Sequence, residues 1–146
     1  MDAVKSERGY TFVEMLFVLF IAICLSTIVV KYSLKAAETR ELEQFFTQIQ
    51  LDIQYIQTYS MQQGEYISMK FESSSKRYII KKDIFTELFE RPFPKGVELI
   101  PTSSSIYTII YNFNGNVMTP GTVYFKTPQG TKKIVITLGR GRSRVE

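Results

Sequence analysis

Residues 15–30, MLFVLFIAICLSTIVV, carry no charged side chain. As a helix rising about 1.5 Å per residue they reach roughly 24 Å, a little short of the ~20 residues usually needed to cross a bilayer core. Tyr10, Thr11, Phe12 and Val13 extend the run backwards, interrupted only by Glu14. A cleaved secretory signal needs a small-x-small site soon after such a run, but Lys31-Tyr32-Ser33-Leu34-Lys35 comes next instead. A lipoprotein signal would rest on Cys24 alone, and the bulky Ile23 precedes it where Gly or Ala is wanted. The run is therefore read as a retained membrane helix, with Cys24 a small apolar residue inside it. Charge counting gives no orientation: Lys5 and Arg8 lie before the run, and Lys31, Lys35 and Arg40 lie after it.

Glu14 is the unusual residue of this segment. A carboxylate inside an apolar helix costs about 3 kcal/mol at mid-bilayer and is normally paired. Nothing basic sits one helical turn away within the run. A lone helix leaves Glu14 either without a partner or hydrated at the membrane edge.

Composition removes several chemistries. The 146 residues contain no His, which excludes a His general base, a catalytic triad and His-ligated metal. One Cys excludes an intramolecular disulfide and a Cys-cluster zinc site. Catalysis would then need a carboxylate pair or a Ser–Lys arrangement. Ser103, Ser104 and Ser105 lie in a turn-like tract without distinctive Lys spacing, and Glu87 and Glu90 suggest no cleft. The chain is read as not an enzyme, with no cofactor. The net charge of +4 permits nucleic-acid contact without demanding it.

No Gly or Pro occurs from Tyr10 to Gln63. Beyond the uncharged run, Leu42, Phe45, Phe46, Ile49, Ile53 and Ile56 recur at helical spacing, while Glu41, Glu43, Gln44, Gln48, Gln50, Asp52, Gln54 and Gln57 take other faces. Gly64 is the expected stop. One helix is expected, membrane-embedded over 10–30 and amphipathic over 31–63, with its stripe packed on the protein's own sheet. The stripe is too short for a coiled coil of several heptads.

After Gly64 the apolar period becomes two. Ile67, Met69 and Phe71 alternate with polar neighbours, Ser73–Ser75 turn, and Tyr78–Ile80 begin a second strand. Further along lie a short apolar stretch at Val97–Ile100 and a strand over Ile106–Phe113, the latter ended by Asn114-Gly115. Val123–Lys126 and Lys133–Leu138 flank Thr127-Pro128-Gln129-Gly130, which suits a hairpin. The expected class is α+β: a long N-terminal helix on a small antiparallel sheet of five or six strands over 64–146.

The C-terminal stretch from residue 121 holds Lys126, Lys132, Lys133, Arg140, Arg142 and Arg144 against Glu146 alone. In an extended tail the three arginines share one face, with Tyr124 and Phe125 offering stacking surfaces nearby. Three readings stand for Lys132, Lys133, Arg140, Arg142 and Arg144: a solvated strand edge, capture of DNA phosphates, or contact with an acidic partner.

The stretch Arg8-Gly9-Tyr10-Thr11-Phe12-Val13-Glu14-Met15, leading into the apolar run, resembles the class III prepilin signal of the type IV pilin-like family. That family includes type IV pilins, secretion pseudopilins and competence pseudopilins. The resemblance implies that 1–9 is a leader, cut between Gly9 and Tyr10 by a membrane-bound prepilin peptidase, and that Tyr10 becomes N-methylated. It also supplies a partner for Glu14, the freed α-amino group of a neighbouring subunit, since each charge is costly unpaired in a low dielectric. The segments Glu90-Arg91-Pro92, Asn112–Asn116, Ile134–Leu138 with Gly139–Arg142, and Val145-Glu146 are similar to minor pseudopilins of the Gram-positive competence system. This likeness implies a single-pass membrane subunit with its head outside, displayed at the cell surface in a transformation pilus that takes up DNA. The implied partners are a major competence pilin, other minor pseudopilins, the peptidase, an assembly ATPase and a membrane platform protein. A type II-like secretion or adhesion filament is the alternative.

Overall fold

The computed structural model describes residues 11–83, 85–139 and 142–146. They form two compact units, one up to Arg40 and one from Glu41 to Glu146. Helix α1 runs from Phe12 to Gln63 and contributes to both. Its start is capped by Thr11, whose Oγ1 accepts from the Glu14 amide at 3.3 Å. Its stop is at Gly64, whose φ of 66° is the left-handed conformation that glycine adopts without strain. The Glu65 amide reaches back to the Ser60 carbonyl at 3.2 Å, closing a Schellman motif.

In the first unit the helix exposes its apolar side chains from Phe12 to Val30, and it is long and apolar enough to cross a membrane. The hydroxyls in the uncharged run are spent internally. Ser26 Oγ donates to the Ala22 carbonyl at 2.7 Å and Thr27 Oγ1 to the Cys24 carbonyl at 2.8 Å. The segment therefore presents little besides hydrocarbon.

Among the described residues of the second unit, eight strands succeed the helix: β1 (Ile67–Glu72), β2 (Arg77–Lys81), β3 (Glu87–Pro92), β4 (Glu98–Leu99), β5 (Thr108–Tyr111), β6 (Gly121–Thr127), β7 (Gly130–Ile136) and β8 (Ser143–Val145). They make two four-stranded sheets, ordered β3-β2-β1-β5 and β4-β6-β7-β8, with every pairing antiparallel. The sequence pattern predicts one sheet, and the protein has two. The division arises because the chain after β5 turns through Asn114-Gly115 and offers only Val117, which bridges Tyr111 on one side and Gly139 on the other. Gly115 is required there: its φ is 71°, and a Cβ would stand 2.7 Å from the Met61 side chain. Two strands have no clear period-two signature. β3 is mostly exposed, and β8 has three residues.

The helical stripe is buried as expected. Leu42, Phe46, Ile49, Ile53 and Ile56 join Ile67, Met69, Phe71, Tyr78, Ile80, Ile109, Phe125, Ile134 and Ile136 in one core. Each large apolar side chain buried this way contributes about 1.5–3 kcal/mol. Phe45 is partly buried and meets Phe46, Phe93 and Phe125 edge-on, with ring centroids 5.3–6.2 Å apart.

Asp52 departs from the expected polar face of the helix. It is 4% exposed, and its carboxylate accepts from Tyr78 Oη at 2.6 Å, Arg91 Nε at 2.8 Å and Gln48 Nε2 at 2.7 Å. These bonds tie α1 to β2 and β3. Burial and the adjacent Asp52 carboxylate push the Tyr78 phenol well above its ordinary titration range. The outer face of the first sheet carries a lattice of ion pairs: Lys70–Glu72, Arg77–Glu72, Arg77–Glu90 and Lys81–Glu87. These account for Glu87 and Glu90 as structural charges.

Two substitutions test these contacts. Asp52→Ala in the full chain strands a buried Tyr78 hydroxyl and should cost about 2–4 kcal/mol, against about 1 kcal/mol for Tyr78→Phe, as read by denaturant unfolding. Burial holds Tyr111 protonated up to about 12. A fold that favours the neutral phenol keeps that stability below the unfolded value near 10 and loses it as pH rises towards the folded one. Alkaline unfolding should begin above pH ~10 and be less steep in Tyr111→Phe.

Candidate functional site

Two regions carry the functional expectations. The first is the start of α1. Gly9 and Tyr10, the expected cleavage and methylation positions, lie outside the described residues. Glu14 lies within them, in the first turn of the helix. On the sequence alone it is a charge within an apolar run. The helix instead begins at Phe12, which makes Glu14 the third helical residue. The amide dipoles at a helix N-terminus favour a carboxylate there by about 0.3–1 kcal/mol. Thr11 is a residue of this site that sequence reasoning missed, although Thr-x-x-Glu before an apolar run is a recognisable capping signature. Among the described residues no ion pair reaches the Glu14 side chain. It remains available to a charge from elsewhere.

The second region is the basic C-terminal stretch, which the sheet divides. Along β7 alternate residues face opposite ways. Lys132 lies opposite Phe125 on β6, and its Nζ stands 5.7 Å from the centre of the Phe46 ring on α1. Lys133 lies opposite Tyr124 on the other face and pairs with Glu146 Oε2 at 2.9 Å. Arg144 on β8 approaches Glu146 Oε1 at 3.6 Å. The Lys133 ammonium holds the Glu146 carboxyl below its usual range, and Glu146 in turn raises the Lys133 amine. Thus Glu146 gathers Lys133 and Arg144, Lys132 is directed to the helix, and Arg142 is exposed just before β8. Arg140 lies outside the described residues. Arg142 and Arg144 do not lie in a free tail: the Arg142 carbonyl accepts from the Thr137 amide at 3.3 Å, and β8 pairs with β7 from Ile136↔Ser143 to Ile134↔Val145.

The serine tract also has a structural use. Ser104 Oγ donates to the Ile100 carbonyl at 2.8 Å and accepts from the Tyr124 amide at 2.9 Å. Ser105 Oγ accepts from the Thr122 amide at 2.8 Å. Together they satisfy the edge of β6 beyond the short β4, so neither hydroxyl is placed as a nucleophile. No group of three or more potential Cys, Asp or Glu metal ligands occurs among the described residues.

This architecture has counterparts among solved structures. The chain is similar to the type IV minor pilin FimU of Pseudomonas aeruginosa strain PAO1 in two crystal forms. One superposes with a TM-score of 0.58 at 16% identity, covering 75% of this chain and 90% of FimU. The other gives 0.52 at 16% identity, covering 68% and 88%. No protein-family model matches the sequence, and no curated protein matches it. The chain has the fold of a type IV minor pilin, a long N-terminal helix packed on antiparallel sheets, and that helix is a candidate membrane anchor.

The divided basic surface makes a specific prediction. Glu146→Gln releases Lys133 and Arg144, so the full chain should elute from an immobilised polyanion at higher salt. In the Glu146→Gln background, Lys133→Gln should lower the elution salt more than Lys132→Gln, whose ammonium faces the Phe46 ring.

Proposed function

We propose that this protein is a minor pseudopilin, a structural subunit of a competence pilus that brings external DNA to the cell's uptake machinery. The observation that carries the reading is the start of α1: a Glu held in the first turn of a long apolar helix, directly after Gly9-Tyr10, on a chain with a minor pilin fold. The competence assignment rests on the likeness of the Glu90–Pro92, Asn112–Asn116 and C-terminal segments to the competence pseudopilin ComGD.

In this reading the prepilin peptidase removes 1–9 at the cytoplasmic face, and Tyr10 becomes the N-terminal residue and is methylated. The subunit waits in the membrane as a single-pass protein with its head outside. Glu14 then meets the α-amino group of a neighbouring pilin. An ammonium and a carboxylate attract strongly where packed subunits exclude water and are each costly alone there, so insertion is favoured in one register. The assembly ATPase and the platform protein drive the step, and the major competence pilin and the other minor pseudopilins supply neighbours. No part of this role requires bond-making by the subunit itself. The basic strands are read as a solvated edge or a contact for an acidic pilin in preference to DNA, because Glu146 already neutralises part of their charge.

Transformation frequency in a deletion strain tests the proposal. Loss on deletion, rescue by the wild type and failure of Glu14→Ala are expected. Unchanged transformation moves the protein to a secretion or adhesion filament. Gly9→Val should retain the leader, seen as the unprocessed intact mass. Normal processing in that variant would overturn the prepilin assignment.

A further inference from the structure

Resting on the membrane reading of α1, we propose that Lys31, Tyr32 and Lys35 form a docking surface for the headgroups of anionic phospholipids, which sets the depth of the helix in the bilayer. All three residues are exposed on the helix. Lys31 is the first charge after Glu14. The helix places the two about 26 Å apart along its axis, slightly less than the ~30 Å of a hydrocarbon core. With Glu14 at one boundary, the Lys31 stem reaches the opposite boundary and its ammonium extends into the headgroups.

Lys35 comes one turn later on the same face, with its Cβ about 6 Å from that of Lys31. Neither lysine has a carboxylate partner among the described residues, and no ion pair joins Glu38, the next acid on that face, to either of them. The face changes character abruptly. Thr27, one turn before Lys31, spends its hydroxyl on the Cys24 carbonyl and presents a methyl group. Tyr32 is 74% exposed beside this pair, and its amphipathic ring suits the depth where headgroups meet hydrocarbon. Two unpaired cations at phosphate depth are complementary to lipids of net negative charge, each lysine favouring them by about fivefold. Zwitterionic lipids carry their own cation beside the phosphate and compete poorly.

The test uses the full chain reconstituted in vesicles of equimolar phosphatidylcholine and phosphatidylglycerol. Spin-labelled lipids of each type report which one is motionally restricted at the protein. Phosphatidylglycerol should be enriched several-fold over phosphatidylcholine. The enrichment should vanish in Lys31→Gln/Lys35→Gln and persist in the head control Lys132→Gln/Lys133→Gln. Alkaline extraction is run on the same vesicles. A chain that washes out overturns the membrane reading and the proposal together. An inserted chain without lipid preference, or one whose preference survives the Lys31/Lys35 double substitution, overturns the proposal alone.

Discussion

The Asp52 carboxylate, enclosed by Tyr78, Arg91 and Gln48, fixes how α1 sits on the first sheet. A buried charge is tolerated only when its lone pairs are filled with good geometry, and three donors fill them here. The arrangement is directional in a way that apolar packing is not. Leu42, Phe46, Ile49, Ile53 and Ile56 would tolerate small rotations of the helix, but the three hydrogen bonds to Asp52 would not. Two of its partners lie on neighbouring strands, so the bonds also hold β2 and β3 in register with the helix.

That setting shapes the rest of the head. With α1 fixed on the first sheet, its Phe45 and Phe46 meet Phe93 and Phe125, and Phe125 brings the second sheet into the same core. Val117 then joins the two sheets at their edges by bridging Tyr111 and Gly139. The turn before Val117 is held from the helix side, where Gln57 Nε2 donates to the Gly115 carbonyl at 2.9 Å. The helix thus organises both sheets, and polar bonds at its two flanks supply the specificity that the apolar stripe lacks.

The same helix meets two environments with one backbone rule. Its N–H and C=O groups are satisfied within the segment, which is the condition for crossing a bilayer and equally for packing in a core. What changes along it is only the side-chain pattern. It is apolar on every face where lipid is the proposed solvent, and apolar on one stripe where protein is. Glu14 and Lys31 bracket the first pattern, and the stripe beginning at Leu42 opens the second.

By itself the sequence determined whatever depends on local chemistry. The absence of Gly and Pro made one long helix, Gly64 ended it, the 3.6-residue period chose its buried stripe, and Asn114-Gly115 and Thr127–Gly130 marked two turns. The Thr11-x-x-Glu14 cap is equally local, a signature of four consecutive residues that the apolar run around it obscured. Tertiary structure alone decided the matters of long-range pairing. The division into two sheets turned on β5 pairing with β1 while β6 pairs with β4 and β7, leaving Val117 to bridge Tyr111 and Gly139. Asp52 is one more polar residue on a solvated face until Tyr78 and Arg91, both distant in sequence, close around it. The basic C-terminal stretch is one uniform charge run until β7 sends Lys132 and Lys133 to opposite faces and Glu146 draws in Lys133 and Arg144. A linear pattern records which side chains share a face; which neighbours meet that face depends on register and on loops whose closure has only a weak local signature.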